Sequence, residues 1–437
     1  MGLRDVFIFL VVLIGVPFIL RRPAIGVMYW VWISLMNPHR QAFGLAYSFP
    51  FAMLIGALTV AGIVWTKEPR QMKGGAPAVV LLLLIAWMCI TTYFALSPED
   101  ANRILERVLK IQIFTFISLF VLCKREHVLW LIATIAASIG YYAVKGGLFT
   151  LLHGGSYLVW GPADSFITDN NSLALATVMS IPLWAYLYIM ATKRWVRVAL
   201  ALAMGLSAVS ALGSFSRGAL LAMSAMLVLL WLRGRRKALL GVALAIVASA
   251  IIAFMPDKWE QRMSTIQTYQ EDESAQGRIN TWIMLFNLAN DRPLVGGGFE
   301  PYTKEIFQRY RPEYSRTHSA HSIYFQALGE QGYVGLFLFL TLWFLTWRLG
   351  SSIRRMTRDR PDEAWAFWLA SMVQVSLAAY FVGGAFLNLA WWDMPYYLMV
   401  SLVVTRHALL NQRGEGLGPL QHGRLNGGVA VSLPKAT

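Results

Sequence analysis

The chain has 437 residues, of which 57% are hydrophobic and 14% charged, with a mean hydropathy of +0.52 and a formal net charge of +15. A soluble domain carries about 25% charged residues, so this composition excludes an ordinary water-soluble fold and describes a chain solvated mainly by lipid. The positive charge does not make a nucleic-acid binder, because the Lys and Arg residues fall in short clusters between apolar runs, with no basic domain or aromatic platform set apart from them.

The apolar runs are continuous rather than alternating, which argues for spanning helices of about 20 residues and against a β-barrel. The first, Val6 to Leu20, has the length of a signal peptide. Arg21-Arg22-Pro23 follows it without a small-residue cleavage site, so it reads as a retained anchor. A short run from Ala24 to Met36 leads to the polar turn Asn37-Pro38-His39-Arg40. Further spans are expected at 49–66, 77–94, 104–123, 128–144, 171–191, 197–213, 216–232, 238–255, 321–347, 364–384 and 394–410. The total is about 12, or 13 if both of the first two short runs cross. Cys89 and Cys123 lie in or at the end of apolar runs and read as buried inert thiols.

Charge orients these spans. Lys67/Arg70/Lys73, Lys124/Arg125, Lys193/Arg194/Arg197, Arg233/Arg235/Arg236/Lys237 and Arg354/Arg355/Arg358/Arg360 occupy every second loop. The positive-inside rule makes those loops cytoplasmic. Segments 37–48, 95–103, 145–170, 256–320 and 385–393 then face outward. The expected organisation is an N-terminal bundle over 1–255, an outward loop over 256–320, C-terminal helices over 321–410 and a Gly-rich disordered tail over 411–437.

Several residues could carry chemistry. Arg217, in Ser214-Phe215-Ser216-Arg217-Gly218, sits in an outward hinge between apolar runs. It is either a headgroup-level arginine or an anion site, where Gly218 allows close approach and a helix N-terminus adds positive dipole. Arg278, in Gly277-Arg278-Ile279-Asn280-Thr281-Trp282, opens a helix-like stretch of the outer loop, and spacing alone does not separate it from its arginine neighbours. Asp169-Asn170-Asn171 starts a span, either as a cap or as a polar contact to sugar or phosphate. Glu271-Asp272-Glu273 reads as a solvated face, and Asp291–Phe299 as a Gly-rich turn lacking the Lys-Ser/Thr of a nucleotide loop. His318 and His321 stand three residues apart where the outer loop meets a span. No third ligand favours zinc. A general base fits better, with His321 at the helix start and the glycines at 329, 332 and 335 giving close helix contact and a rigid element.

Together the motifs Gly213-Ser214-Phe215-Ser216-Arg217-Gly218-Ala219, Gly277-Arg278 with Trp282, and His321-Ser322 followed by Glu330-Gln331-Gly332 and Gly335 resemble the bacterial O-antigen ligase / O-antigen polymerase superfamily. The stretch Trp32-Ile33-Ser34-Leu35-Met36-Asn37-Pro38-His39-Arg40 is similar to O-glycosylation ligases found beside exosortase systems. One departure is Ser322, where many relatives have Asn. The resemblance implies an all-α polytopic membrane fold of the GT-C class, with about 12 transmembrane helices and a lid-like periplasmic loop, in the bacterial inner membrane. It implies transfer of a glycan from undecaprenyl diphosphate to an acceptor, a lipid A–core sugar in O-antigen ligases, with no metal, cofactor or nucleotide. On this reading Arg217 and Arg278 bind the diphosphate, His321 is the base, and Asn171 and His318 are substrate contacts. A polymerase and a protein O-glycosylation ligase share these motifs. A polysaccharide transporter is the alternative from another class, against which stands the lack of visible repeat symmetry.

Overall fold

The computed structural model describes residues 2–234 and 273–416. The expected span at 238–255, the cluster Arg235/Arg236/Lys237, residues 256–272 with Glu271 and Asp272, and the tail from 417 onward lie outside the described residues.

Among the described residues all regular structure is helical. In chain order the α-helices are α1 (Leu3–Arg21), α2 (Pro23–Met36), α3 (Leu45–Ser48), α4 (Phe51–Trp65), α5 (Ala76–Tyr93), α6 (Pro98–Val121), α7 (Arg125–Leu152), α8 (Asn170–Met190), α9 (Arg194–Leu212) and α10 (Arg217–Arg233). They are followed by α11 (Glu273–Asp291), α12 (Lys304–Tyr310), α13 (Ile323–Thr357), α14 (Ala364–Gly383) and α15 (Asp393–Gly416). Among the described residues, seven helical segments are long and apolar enough to cross a membrane: α1, α5, α7, α8, α9, α13 and the stretch Pro361–Phe386 containing α14. Helices α2 and α4 are apolar but shorter. Helix α6 has the length, but its first half carries the pairs Arg103–Asp100 and Lys110–Glu106 on an exposed face.

Helix α15 sits at the centre: every residue from Trp391 to Thr405 is buried. A helix apolar on all sides belongs inside a bundle, where each face finds a packing partner. Around it, α8 packs on α7, α9 and α14, while α13 packs on α5 and α14. The helix runs on to Gly416, so the tail expected to begin at 411 is helical over its first six residues. Helices α7 and α13 also outrun their apolar segments, ending at Leu152 and Thr357.

One end of the bundle gathers the basic groups. Lys73 Nζ donates to the Leu119 carbonyl at the C-terminal end of α6, at 3.2 Å. Arg413 grips Glu363 with two hydrogen bonds, at 2.9 and 2.6 Å. Arg233 and Arg354 both donate to Gln374 Oε1, at 2.9 and 3.2 Å. The thiols differ from expectation: Cys89 is exposed on the outside of α5, and Cys123 is half-buried with its sulfur 3.0 Å from Lys73 Nζ.

At the opposite end, α11 and α12 form a hairpin with its own small core of Met284, Leu285, Leu288, Ile306, Phe307 and Tyr310. The hairpin joins the bundle through a break in α13. Gly332 has φ 68° and ψ −173°, a conformation essentially reserved for glycine. The break frees two carbonyls, and the turn after α11 uses them: Gly297 N–H donates to Gly329 O at 2.8 Å and Gly298 N–H to Glu330 O at 3.0 Å. Tyr333 N–H returns a bond to Pro293 O at 2.9 Å. A Cβ on Gly332 would lie 2.1 Å from Leu294 O. Gly329 gives the close helix contact expected of it, since a Cβ there would lie 2.3 Å from Leu285 of α11, whereas Gly332 serves a break that receives a loop.

Candidate active site

The site lies at the hairpin end of the bundle, where several helices begin. Helix α10 starts directly at Arg217, because Ser216 caps it by accepting the Ala219 N–H at 3.2 Å. Phe215, just before the cap, has φ 57°. A bulky residue in the left-handed region is held there by its surroundings, and the tight turn that results brings Arg217 directly after α9. Gly218 is not needed for clearance, since a Cβ there would meet Phe386 Cβ at an ordinary 3.6 Å.

Helix α8 starts beside this turn. Asp169 caps it through the N–H groups of Asn171 and Ser172, at 2.9 and 3.1 Å. Asn170 Nδ2 donates to Ser214 O at 2.8 Å and ties the two helix starts together. The cap belongs to Asp169, which leaves the Asn171 side chain facing the cleft.

The third element is α11. It begins at Glu273, so Arg278 stands in its second turn rather than at its start. One turn on, Trp282 Nε1–H donates to Ala320 O at 2.7 Å, and its ring stacks on Phe325 at 5.1 Å between centroids. These contacts fix the helix carrying Arg278 to the segment carrying His321. His318 packs against the same turn, where a Cβ on Gly277 would lie 3.1 Å from its Nε2.

Arg217, Arg278 and Asn171 share a narrow cleft, completed by Phe215, Ser216, Gly218, Phe386 and Leu387. Two guanidinium groups and the N-terminal ends of α8 and α10 give it a positive field, which suits an anion such as phosphate.

His321 is next to the cleft wall. Its N–H donates to Asn388 Oδ1 at 2.6 Å, and Asn388 follows the cleft residue Leu387. Its φ of 42° is again left-handed. The residue lies two positions before α13, whose cap is Ser322, so it precedes the helix rather than beginning it, and its backbone is held by the turn and by Asn388. Burial lowers the imidazole pKa to about 4, helped by Arg278 and His318 and opposed by Asp169. At neutral pH the ring is therefore uncharged and able to accept a proton. Among the described residues no three His, Cys, Asp or Glu side chains converge as metal ligands.

Sequence reasoning missed the segment 384–392, which supplies Phe386, Leu387 and Asn388. A single Asn in a short loop between apolar runs gives no signal by itself; only the fold sets it against His321.

Residues 202–340 match the family model described as O-antigen ligase. The chain carries an O-antigen ligase domain. The match supports membership of the O-antigen ligase/polymerase superfamily. The ligase domain contains Arg217, Arg278, His318 and His321. Residues 3–192, including Asn171, match a family of unknown function, and Asn388 lies outside both. A search of curated proteins returned no match.

Proposed function

We propose that the protein is an O-antigen ligase that transfers a polysaccharide from undecaprenyl diphosphate to a sugar hydroxyl of lipid A–core. The reaction takes place on the periplasmic side of the bacterial inner membrane, in a GT-C-like bundle of about 12 spans. One observation carries this reading: Arg217 and Arg278, from separate helices of an O-antigen ligase domain, meet in a single cleft bordered by a neutral histidine.

The acceptor hydroxyl oxygen attacks the anomeric carbon and His321 takes its proton. The bond from that carbon to the diphosphate oxygen breaks, and its electron pair leaves with undecaprenyl diphosphate. Attack opposite the leaving group inverts the anomeric centre. Arg217 and Arg278 bind the diphosphate and stabilise the charge it gathers, a task that falls to a metal ion in other phosphate-leaving reactions. Asn171 and His318 contact the substrate at the cleft margin.

Purified protein in detergent, given undecaprenyl-diphosphate-linked glycan and lipid A–core, is expected to form glycosylated lipid A–core and free undecaprenyl diphosphate, undiminished by EDTA. Lengthening of the lipid-linked glycan without use of lipid A–core would make the protein a polymerase. No turnover in detergent, where transport cannot be measured, would favour a transporter.

A further inference from the structure

The segment 384–392 is pegged to α13 and to the turn before it. Asn388 Oδ1 accepts the His321 N–H at 2.6 Å, and Ala390 N–H donates to Gln326 Oε1 at 3.2 Å. Trp391 Nε1–H donates to Glu330 Oε2 at 2.6 Å. Glu330 is only 1% exposed, and its second oxygen accepts from Tyr302 Oη at 3.1 Å and Gln326 Nε2 at 3.3 Å. The start of the same segment, Phe386 and Leu387, lines the cleft shared by Arg217 and Arg278. One short stretch thus touches the arginine cleft at one end, holds the histidine in its middle and is anchored by a buried carboxyl group at its other end.

His321 needs such a hold. Its left-handed backbone, φ 42°, is unfavourable for a residue with a Cβ and persists only where neighbours impose it. We propose that Asn388 is a positioning residue of the transfer reaction, fixing the His321 backbone so that the imidazole faces the acceptor hydroxyl, and that Glu330 anchors the segment carrying Asn388. The proposal rests on His321 being the base.

Two variants and one control test it, in full-length protein assayed with undecaprenyl-diphosphate-linked glycan and lipid A–core. Asn388→Leu keeps the volume and removes the acceptor. It is expected to lower kcat about 100-fold while the donor KM stays within about threefold, since small misplacement of a reacting group costs turnover rather than binding. Asn388→Asp keeps an acceptor and is expected to regain about tenfold of that loss at saturating donor. Its carboxylate joins Asp169 against Arg278 and His318, the other charged or titratable groups facing His321. The acid limb of its pH profile should therefore move up by about one pH unit. Asn388→Leu with parental kcat, while His321→Ala is inactive, overturns the positioning role. So does Asn388→Asp with an unmoved acid limb, a result that stands even if Asn388→Leu does not fold. Turnover by His321→Ala at the parental rate instead overturns the base assignment, and the positioning proposal falls with it.

Discussion

The proposed base, His321, sits in an environment that works against its basicity. Burial and the neighbouring Arg278 hold its pKa near 4, so it stays neutral through the physiological range but is a weak proton acceptor. Because the folded-state value lies below the ordinary 6.5, protonation is opposed in the native protein, and the active form is lost only as pH falls through about 4. The kcat/KM profile is therefore expected to stay level from pH 8 to about pH 5 and drop below, not to fall near 6.5. A limb near 6.5 in the parent protein would show that another group titrates. His321→Ala should lose about 10²–10⁴-fold in kcat with donor binding intact, measured by turnover and by a donor-binding titration. Arg217→Ala and Arg278→Ala should each lower kcat/KM by about 10²–10³-fold. Lysine at either position should restore only part of this, because an ammonium lacks the planar fork that grips phosphate.

At the scale of elements, the break in α13 is the most sequence-dependent feature. Gly332→Ala would place a Cβ in a glycine-only conformation and against Leu294 O. We expect it to cost roughly 2–4 kcal/mol, read as a fall in thermal unfolding temperature in detergent. An alanine at Gly218 meets only ordinary contacts and should leave that temperature unchanged. The contrast also shows what was legible beforehand. Continuous apolar runs located the helices, because one in lipid has no other way to satisfy its backbone. The Gly-rich turn at 291–299 and the glycines at 329, 332 and 335 were each visible as punctuation. That one inserts into the other was not, since nothing local to either stretch encodes the pairing. The same holds for the site. Arg217, Arg278 and His321 could be named through their motifs, whereas Arg278 alone looked like any loop arginine and Asn388 gave no signal. Helix ends were the least legible, because α13 and α15 continue as helix past the apolar stretch that announces them.

For the whole molecule, the basic loops and the cleft lie at opposite ends of the bundle. If the basic end is cytoplasmic, a membrane-impermeant thiol reagent should label Glu313→Cys in intact cells and Asp359→Cys only after permeabilisation, both in a chain with Cys89 and Cys123 changed to Ser. Both positions are exposed to solvent. Labelling of Asp359→Cys in intact cells would reverse the orientation.

The loop threaded through the gap at Gly332 makes α11, α12 and the His321 segment a single fixed jig. Tyr333 Oη also reaches Asn290 Oδ1 at 2.8 Å across the junction. These contacts tie the helix that carries Arg278 to α13, a tether that a mobile lid would lack. In the proposed reaction the substrates are then the moving parts, with a lipid-borne polymer entering a site whose walls are tied together. Linking Asn290→Cys to Tyr333→Cys with a short bifunctional thiol reagent, in the chain lacking Cys89 and Cys123, should therefore leave turnover within about twofold of the unlinked protein.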